Sequence, residues 1–125
     1  MKGGVRMRPI ESEKIQEKID GFAKKEIFIH METSTGSYVG VQDPDTIPAC
    51  AYIRNEIIQF TEGKIVENEA WYSVGLKIDN GWIYVEGLTD WEMYDKDTLL
   101  LGGYDTEGNL KIGLQLSHHP FVCGE

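Results

Sequence analysis

The dipeptide Asn80-Gly81, which stands between two runs of alternating apolar and polar residues, restricts the fold more than any other feature of the sequence. Both residues tolerate the positive φ angles of a two-residue type I′ turn, so the dipeptide predicts a tight β-hairpin. Folding the chain about this turn predicts an apolar face with two cross-strand pairs, Ile78 with Ile83 and Leu76 with Val85. On the opposite face it predicts Lys77 opposite Tyr84 and Gly75 opposite Glu86.

Further turn signals divide most of the remaining chain into short strands. A hairpin closing through residues 106–109 would place Leu101 opposite Leu114 and Leu99 opposite Leu116. Turns are also predicted at Glu62-Gly63, at residues 95–97 and at residues 34–36, the last leading into a strand over 37–41. Prolines within residues 43–48 predict a loop before a strand that begins near Ala51. The fold class is therefore mainly β, an antiparallel barrel or sandwich of about seven to eight short strands.

One N-terminal helix is predicted to begin at Ser12, which can act as an N-cap, and to end at about Lys25. Its apolar residues have helical spacing and form one stripe, Ile15, Ile19, Phe22 and Ala23. Gly21 weakens the helix, so packing against a sheet must stabilise it. Because 125 residues suit one hydrophobic core, we expect a single β-rich domain over residues 10–121, with flexible ends at 1–9 and 122–125.

Charge and cysteine content restrict the partners and the compartment. The 12 basic and 21 acidic residues give a formal net charge of −9, which disfavours nucleic acid and anionic lipid as partners. Cys50 and Cys123 lack the C-x-x-C spacing of a zinc or redox motif, so reduced thiols in a cytoplasmic protein are expected, although a disulfide between them is not ruled out by sequence. The first residues lack the apolar run of a signal peptide, and no stretch reaches the roughly 20 apolar residues of a membrane span.

The usual catalytic signatures are missing from the sequence, including the nucleophile elbow, the phosphate-binding loops and the zinc-protease motif. This favours a non-enzyme without deciding the question, because an active site can also be assembled from scattered residues. Adjacent histidines such as His118 and His119 point to opposite faces of a strand and make poor ligands for one metal. His30 and Glu32 share a strand face and could supply an acid/base pair or two metal ligands, but we expect neither a metal nor a cofactor.

The face of the predicted Asn80-Gly81 hairpin opposite its apolar pairs carries the strongest candidate site. Ile83 and Val85 would point inward, which leaves four residues of a ligand or partner face on the other side: Lys77, Trp82, Tyr84 and Glu86. Aromatic rings stack on sugars and other flat ligands, and carboxylates accept their hydroxyl hydrogens. In a closed barrel, or between two sheets, the same side chains would instead form a second core layer.

Arg54, with its apolar neighbours, is expected to be partly buried and to need a carboxylate or phosphate partner. Glu86, Asp90 or Glu32 could serve as a structural partner, and the same bidentate geometry could instead recognise an anionic ligand. Paired acids also leave open a small hydrolase that would use Glu86 or Asp90 with His30 or His118. A purely structural homo-oligomer is the third alternative, and it predicts a large apolar surface between subunits.

The order of several segments resembles the YojF-like family of uncharacterised bacillar proteins. The segments are His30-Met31-Glu32-Thr33, Gly36-Ser37-Tyr38, Tyr52-Ile53-Arg54-Asn55, Val74-Gly75-Leu76-Lys77, residues 81–89, Leu116-Ser117 and Pro120-Phe121. The resemblance covers roughly residues 9–121 and implies a cytoplasmic protein of Gram-positive bacteria. It also implies an accessory role beside a deacetylase of the kind that acts on an N-acetylglucosamine conjugate during bacillithiol synthesis. The expected partners are therefore this deacetylase and a second copy of the chain.

Overall fold

The computed structural model describes residues 7–34 and 50–120. Within these ranges the chain forms one helix and nine strands, one of which has only two residues. In chain order the elements are β1 (Arg8–Pro9), α1 (Ser12–Phe22), β2 (Ile27–Ser34), β3 (Cys50–Ile58), β4 (Glu62–Glu67), β5 (Tyr72–Ile78), β6 (Gly81–Leu88), β7 (Asp90–Asp95), β8 (Thr98–Tyr104) and β9 (Leu110–Ser117).

The strands form two antiparallel sheets that enclose the core. The large sheet has the order β1-β7-β8-β9-β2-β3, and the small sheet has the order β4-β5-β6. Side chains from both sheets meet in one buried cluster that includes Ile29, Leu99 and Leu116 of the large sheet and Val74, Leu76 and Val85 of the small sheet. The mainly β prediction is confirmed, and of its two alternatives the structure is the sandwich, because the sheets remain separate.

Helix α1 begins and ends close to the predicted positions and packs against β4. Glu11 is the cap residue, so Ser12 is the first helical residue and not the predicted N-cap. The helix ends at Phe22, three residues before the predicted end, because Lys24 takes a positive φ of 64° and its N–H donates to the Phe60 carbonyl. The predicted stripe is confirmed, with Ile15, Ile19 and Phe22 buried.

The side chain of Gln16 joins α1 to the edge of the small sheet. Its Nε2 donates to the Gly63 carbonyl at 2.8 Å, and its Oε1 accepts from the Ile65 N–H at 3.0 Å. A Cβ on Gly63 would lie 2.5 Å from Ile19 Cγ2, so glycine there permits the close approach of helix and strand. The predicted turn at Glu62-Gly63 is therefore wrong: both residues belong to β4, and this glycine serves packing.

The hairpin of β5 and β6 exists, but its predicted register is wrong. Ile78 pairs with Gly81 and Leu76 with Ile83, so the turn is centred on Asp79 and Asn80. Neither of those two residues has the positive φ of a type I′ turn. The pairing differs from the prediction by two residues, and such a shift preserves the inward and outward faces of both strands.

The hairpin of β8 and β9 has the predicted pairs, Leu101 with Leu114 and Leu99 with Leu116. The predicted turn at residues 95–97 is confirmed between β7 and β8, and the strand near Ala51 is β3. Arg8 and Pro9, placed in the N-terminal stretch by the sequence prediction, pair with β7. The predicted strand over 37–41, the loop at 43–48 and Cys123 lie outside the described residues. Within the described ranges, α1 is the helix present, and its 11 residues are too few to cross a membrane.

Candidate functional site

The four residues of the predicted ligand face lie together on the outer surface of the small sheet. Strand β6 directs Val85 into the core and directs Trp82, Tyr84 and Glu86 outward. Lys77 is the cross-strand neighbour of Trp82 and is also exposed. The exposed fractions of Trp82 and Tyr84 are 55% and 62%, so these rings do not form a second core layer.

Trp71 is a further aromatic residue of this surface, and the sequence interpretation missed it. It precedes β5, is 38% exposed, and its Nε1 donates to Glu86 Oε2 at 2.9 Å. Its place two residues before the outward-facing Ser73 was the available signal, because alternate residues share a face. We refer to Trp71, Trp82, Tyr84 and Glu86 as the aromatic platform.

Hydrogen bonds and a glycine fix the side chains of the aromatic platform. The Tyr84 hydroxyl donates to Ser73 Oγ at 3.2 Å, and Asn68 Nδ2 donates to the same oxygen at 2.9 Å. The Trp82 ring lies over Gly75, with Cε3 and Cζ3 at 3.5 and 3.7 Å from the position of a Cβ there. Because Gly75 has no side chain, the Trp82 indole can pack directly against the backbone of β5.

His30 and Glu32 lie on the outer surface of the other sheet, where they form a pair. Strand β2 directs Ile29 into the core and His30 and Glu32 away from it. The His30 Nε2–H donates to Glu32 Oε1 at 3.0 Å, as their shared strand face predicts. His30 is only 9% exposed, whereas Glu32 is about half exposed, so the carboxylate is the accessible member of the pair.

A cavity of about 200 Å³ opens beside this pair on the large sheet. Gly113 on β9 is the cross-strand neighbour of Glu32, and Gly102 on β8 is the neighbour of Gly113, so both positions beside Glu32 lack a side chain. Tyr104 forms part of the wall, and burial together with the charge of Asp90 raises the pKa of its phenol. The phenol therefore remains protonated at neutral pH and can donate or accept a hydrogen bond.

The remaining predicted polar residues do not join either group. Arg54 is exposed on β3, with its guanidinium 5.2 Å from the Tyr52 ring centroid, so the prediction of partial burial is wrong. β3 is an edge strand of the sheet that the described residues form. Asp90 lies on β7 and accepts a hydrogen bond from Thr89 Oγ1. The His118 ring stacks on Phe22, with centroids 4.6 Å apart.

The structure separates two pairings of the hydrolase alternative, Glu86 with His30 and Asp90 with His30. Glu86 and His30 project from the outer surfaces of different sheets, on opposite sides of the core. Asp90 and His30 share a surface, but two strands lie between theirs, which sets them roughly 14 Å apart at the usual strand spacing. General acid/base groups must reach one substrate, so these pairings do not form a catalytic pair.

His118 and His119 point in different directions, as expected for neighbouring residues. His119 Nε2 lies 3.5 Å from Asp95 Oδ2, whereas the His118 ring stacks on Phe22. The Asp97 N–H donates to Asp95 and lowers the pKa of that carboxyl, and His119 contributes in the same direction. Within residues 7–34 and 50–120, no three His, Cys, Asp or Glu side chains converge as a metal site would require.

The fold and its two surfaces define a mainly β sandwich domain, and comparison with known proteins places it in a family. The family model "Protein of unknown function (DUF1806)" matches residues 9–121, so the chain belongs to this family. The chain is 39% identical over 116 residues to the uncharacterized protein YojF of Bacillus subtilis (strain 168), a match that covers 93% of this chain and 99% of that protein.

The solved structure of a relative agrees with the fold described above. The crystal structure of the Bacillus subtilis YojF protein matches with a TM-score of 0.76 at 38% identity. The match covers 93% of this chain and 97% of that chain. The resemblance to the YojF-like family that the sequence segments indicated is therefore confirmed.

Proposed function

We propose that this protein is a cytoplasmic, non-catalytic binding domain that holds a sugar-containing ligand on the aromatic platform. The observation that carries the proposal is the exposure of three large aromatic side chains on one sheet surface, beside a carboxylate whose position is fixed. Burying exposed aromatic surface is favourable, and sugar rings offer the C–H faces that stack on indole and phenol rings.

The polar neighbours of the platform suit a ligand with hydroxyl groups. Glu86 accepts one hydrogen bond from Trp71, which leaves lone pairs for a ligand hydroxyl. Lys77, beside Trp82, supplies a donor at the other end of the platform. A ligand that stacks on Trp82 and Tyr84 can therefore reach both an acceptor and a donor without a change in the backbone.

Tryptophan fluorescence tests the proposal with N-acetylglucosamine and its conjugates as the probes. The sequence has three tryptophans, and Trp91 is 3% exposed, so ligand-dependent emission changes would come from Trp71 and Trp82. Trp82→Ala is expected to weaken binding about tenfold, the loss that corresponds to one stacking contact. Tyr94→Ala removes an equally exposed aromatic ring from the large sheet and is the matched control. If the tryptophan emission does not change at high probe concentration, or if Trp82→Ala and Tyr94→Ala lose affinity equally, the proposal is contradicted.

The accessory role beside a sugar-conjugate deacetylase rests on the resemblance to the YojF-like family and on the ligand class proposed here. Full-length tagged protein is expected to retain this deacetylase, identified by mass spectrometry, in a native pull-down. Trp82→Ala should reduce its recovery if partner and ligand use the same surface. Failure to recover the deacetylase in the presence of its substrate would contradict the accessory role while leaving sugar binding intact.

A homodimer is the second proposal, and strand β3 supports it. β3 is an edge strand of the described large sheet, and Tyr52, Ile53 and Ile57 on it are exposed apolar residues. An edge strand with exposed apolar side chains is suited to pairing with a second copy. Light scattering after size-exclusion chromatography should show a dimer that Ile57→Lys converts to a monomer, whereas Val66→Lys on the small sheet should not. If the wild-type protein remains monomeric over a 100-fold range of concentration, the proposal is contradicted.

A further inference from the structure

The cavity on the outer surface of the large sheet lies across the core from the aromatic platform, and the proposed function does not use it. Gly102 and Gly113, which pair across β8 and β9, are among the residues that line the cavity. A Cβ on Gly102 would approach Met7 Cε, Leu110 Cδ1 and Tyr104 Cε1 to between 3.1 and 3.3 Å. Those three side chains therefore close over the glycine and shape a recess instead of a flat surface.

The polar groups of the cavity gather at one side of it. The Glu32 carboxylate faces the recess, and its Oε1 already accepts the hydrogen from His30 Nε2. This hydrogen bond holds the carboxylate in one orientation, and the second oxygen remains able to accept. Gln115, buried on β9, and the protonated phenol of Tyr104 add neutral polar groups to the lining.

The other walls of the cavity are apolar and are formed by the side chains of Met7, Leu100 and Leu110. A volume of about 200 Å³ is the room that roughly seven waters take in the liquid, below the usual range for drug-sized ligands. The cavity therefore suits a fragment-sized molecule with an apolar body. Its charged group is an anion, and Asp90 near Tyr104 adds negative potential, so a cationic ligand is favoured over an anionic one.

We propose that this cavity binds a small molecule with a protonated primary amine on a short apolar body. The ammonium group donates to the Glu32 carboxylate, which His30 orients, and to the Tyr104 oxygen. The apolar body displaces water from the leucine and methionine walls. Charge-assisted hydrogen bonds to a fixed carboxylate favour this class over neutral or anionic molecules of the same shape.

Benzylamine, benzyl alcohol and benzoate form a matched probe series, because they share the ring and differ in charge. Titration of the full chain by nuclear magnetic resonance should show benzylamine shifting the backbone amides of Gly102, Gly113 and Gln115. The amide of Gly75, beneath the aromatic platform, should not respond. Benzoate should not bind, and benzyl alcohol should bind roughly tenfold more weakly than benzylamine.

Glu32→Gln keeps the shape of the side chain and removes its charge, so it should weaken benzylamine binding roughly tenfold and leave benzyl alcohol unchanged. Glu107→Gln, in the exposed β8–β9 loop, removes the same charge outside the cavity and should leave both affinities unchanged. Gly102→Leu fills the recess and should abolish binding of both probes, with thermal melting as the check of its fold. Equal binding of benzoate, or an unchanged affinity in Glu32→Gln, would overturn the proposal and would not bear on the aromatic platform.

Discussion

The outer surfaces of the small sheet and of the large sheet differ in which residues occupy their outward-facing positions. On the small sheet, Trp82 and Tyr84 project into solvent and make a raised platform. On the large sheet, Gly102 and Gly113 lack side chains and line a cavity together with the buried His30. In the two proposals made above, a ligand covers the first surface and enters the second. The difference shows that sheet surfaces of opposite shape arise from large residues or glycines at outward positions.

The side chains of the two surfaces contribute differently to the stability of the fold. Side chains on the platform are exposed, so removing them costs little burial. Side chains around the recess are partly or fully buried, so changes there affect the fold as well as any ligand. Both surfaces rest on one core.

The largest expected effect comes from Gly103, which lies on β8 of the large sheet against Gly87 on β6 of the small sheet. A Cβ there would overlap the Gly87 carbonyl oxygen and lie 2.6 Å from Ile112 Cγ2. Because a backbone atom must move, Gly103→Ala should lower the free energy of unfolding by about 2–3 kcal/mol. Denaturant unfolding, followed by tryptophan fluorescence, measures the change.

Gly81→Ala is the matched control for Gly103→Ala, since a Cβ at Gly81 meets no atom within 4 Å. Its effect should stay within about 0.5 kcal/mol. If the Gly103→Ala variant unfolds in two separate transitions, the two sheets are independent folding units and their outer surfaces do not share one core.

An intermediate effect is expected when one side chain is truncated on each surface. His30→Ala should cost about 1–2 kcal/mol of unfolding free energy, because it removes buried contacts and the hydrogen bond to Glu32. Tyr84→Ala removes a mostly exposed ring and should cost no more than about 0.5 kcal/mol. Equal costs for the two variants, measured by denaturant unfolding, would show that the platform supports the fold as much as the recess does.

The smallest effect is expected at acid pH, from Asp105 at the β8–β9 end of the large sheet. The Asn109 N–H, with the Asn109 side chain and the Glu107 N–H, lowers the pKa of this carboxyl below its usual 3.8. Since the folded pKa lies below the unfolded one, the stabilisation is present above about pH 4 and is lost as pH falls through the folded pKa.

Melting temperatures measured between about pH 6 and pH 2 test the role of Asp105. Asp105→Ala should have a slightly lower melting temperature than the wild type at pH 6. Below about pH 4, the melting temperature of the variant should fall less steeply than that of the wild type. Thr106→Ala, in the same loop, removes no titratable group and should retain the wild-type slope. Parallel curves for Asp105→Ala and the wild type would show that the loop carboxylate does not contribute to acid sensitivity.

The sequence predicted the faces of the strands better than their pairing. It placed Val85 inward and Trp82, Tyr84 and Glu86 outward, and this remained correct although the β5–β6 register was wrong by two residues. Alternation along a strand has a period of two, so an even shift changes cross-strand partners and preserves faces. The pairing failed because Asn80-Gly81 was interpreted by its residue preference alone, whereas the register also depends on the packing of both strands.

The parts of the candidate sites that the sequence did not predict join segments distant along the chain. Trp71 reaches Glu86 because β5 pairs with β6, and their residue numbers differ by 15. The recess needs β2 beside β9 and β9 beside β8, which brings Glu32 next to Gly113 and Gly113 next to Gly102. Strand order within a sheet is set by packing of the whole chain, and local patterns do not encode it.

The sequence by itself determined that the chain is mainly β, which residues of β6 point outward, and that His30 and Glu32 share a face. These properties follow from alternation and side-chain chemistry within a few residues. The tertiary structure alone decided that the outward face of the small sheet remains uncovered, that Trp71 joins it, and that two glycines meet beside Glu32. The physical reason is that exposure and cavities depend on which distant strands become neighbours, and this is fixed only when both sheets close on the shared core.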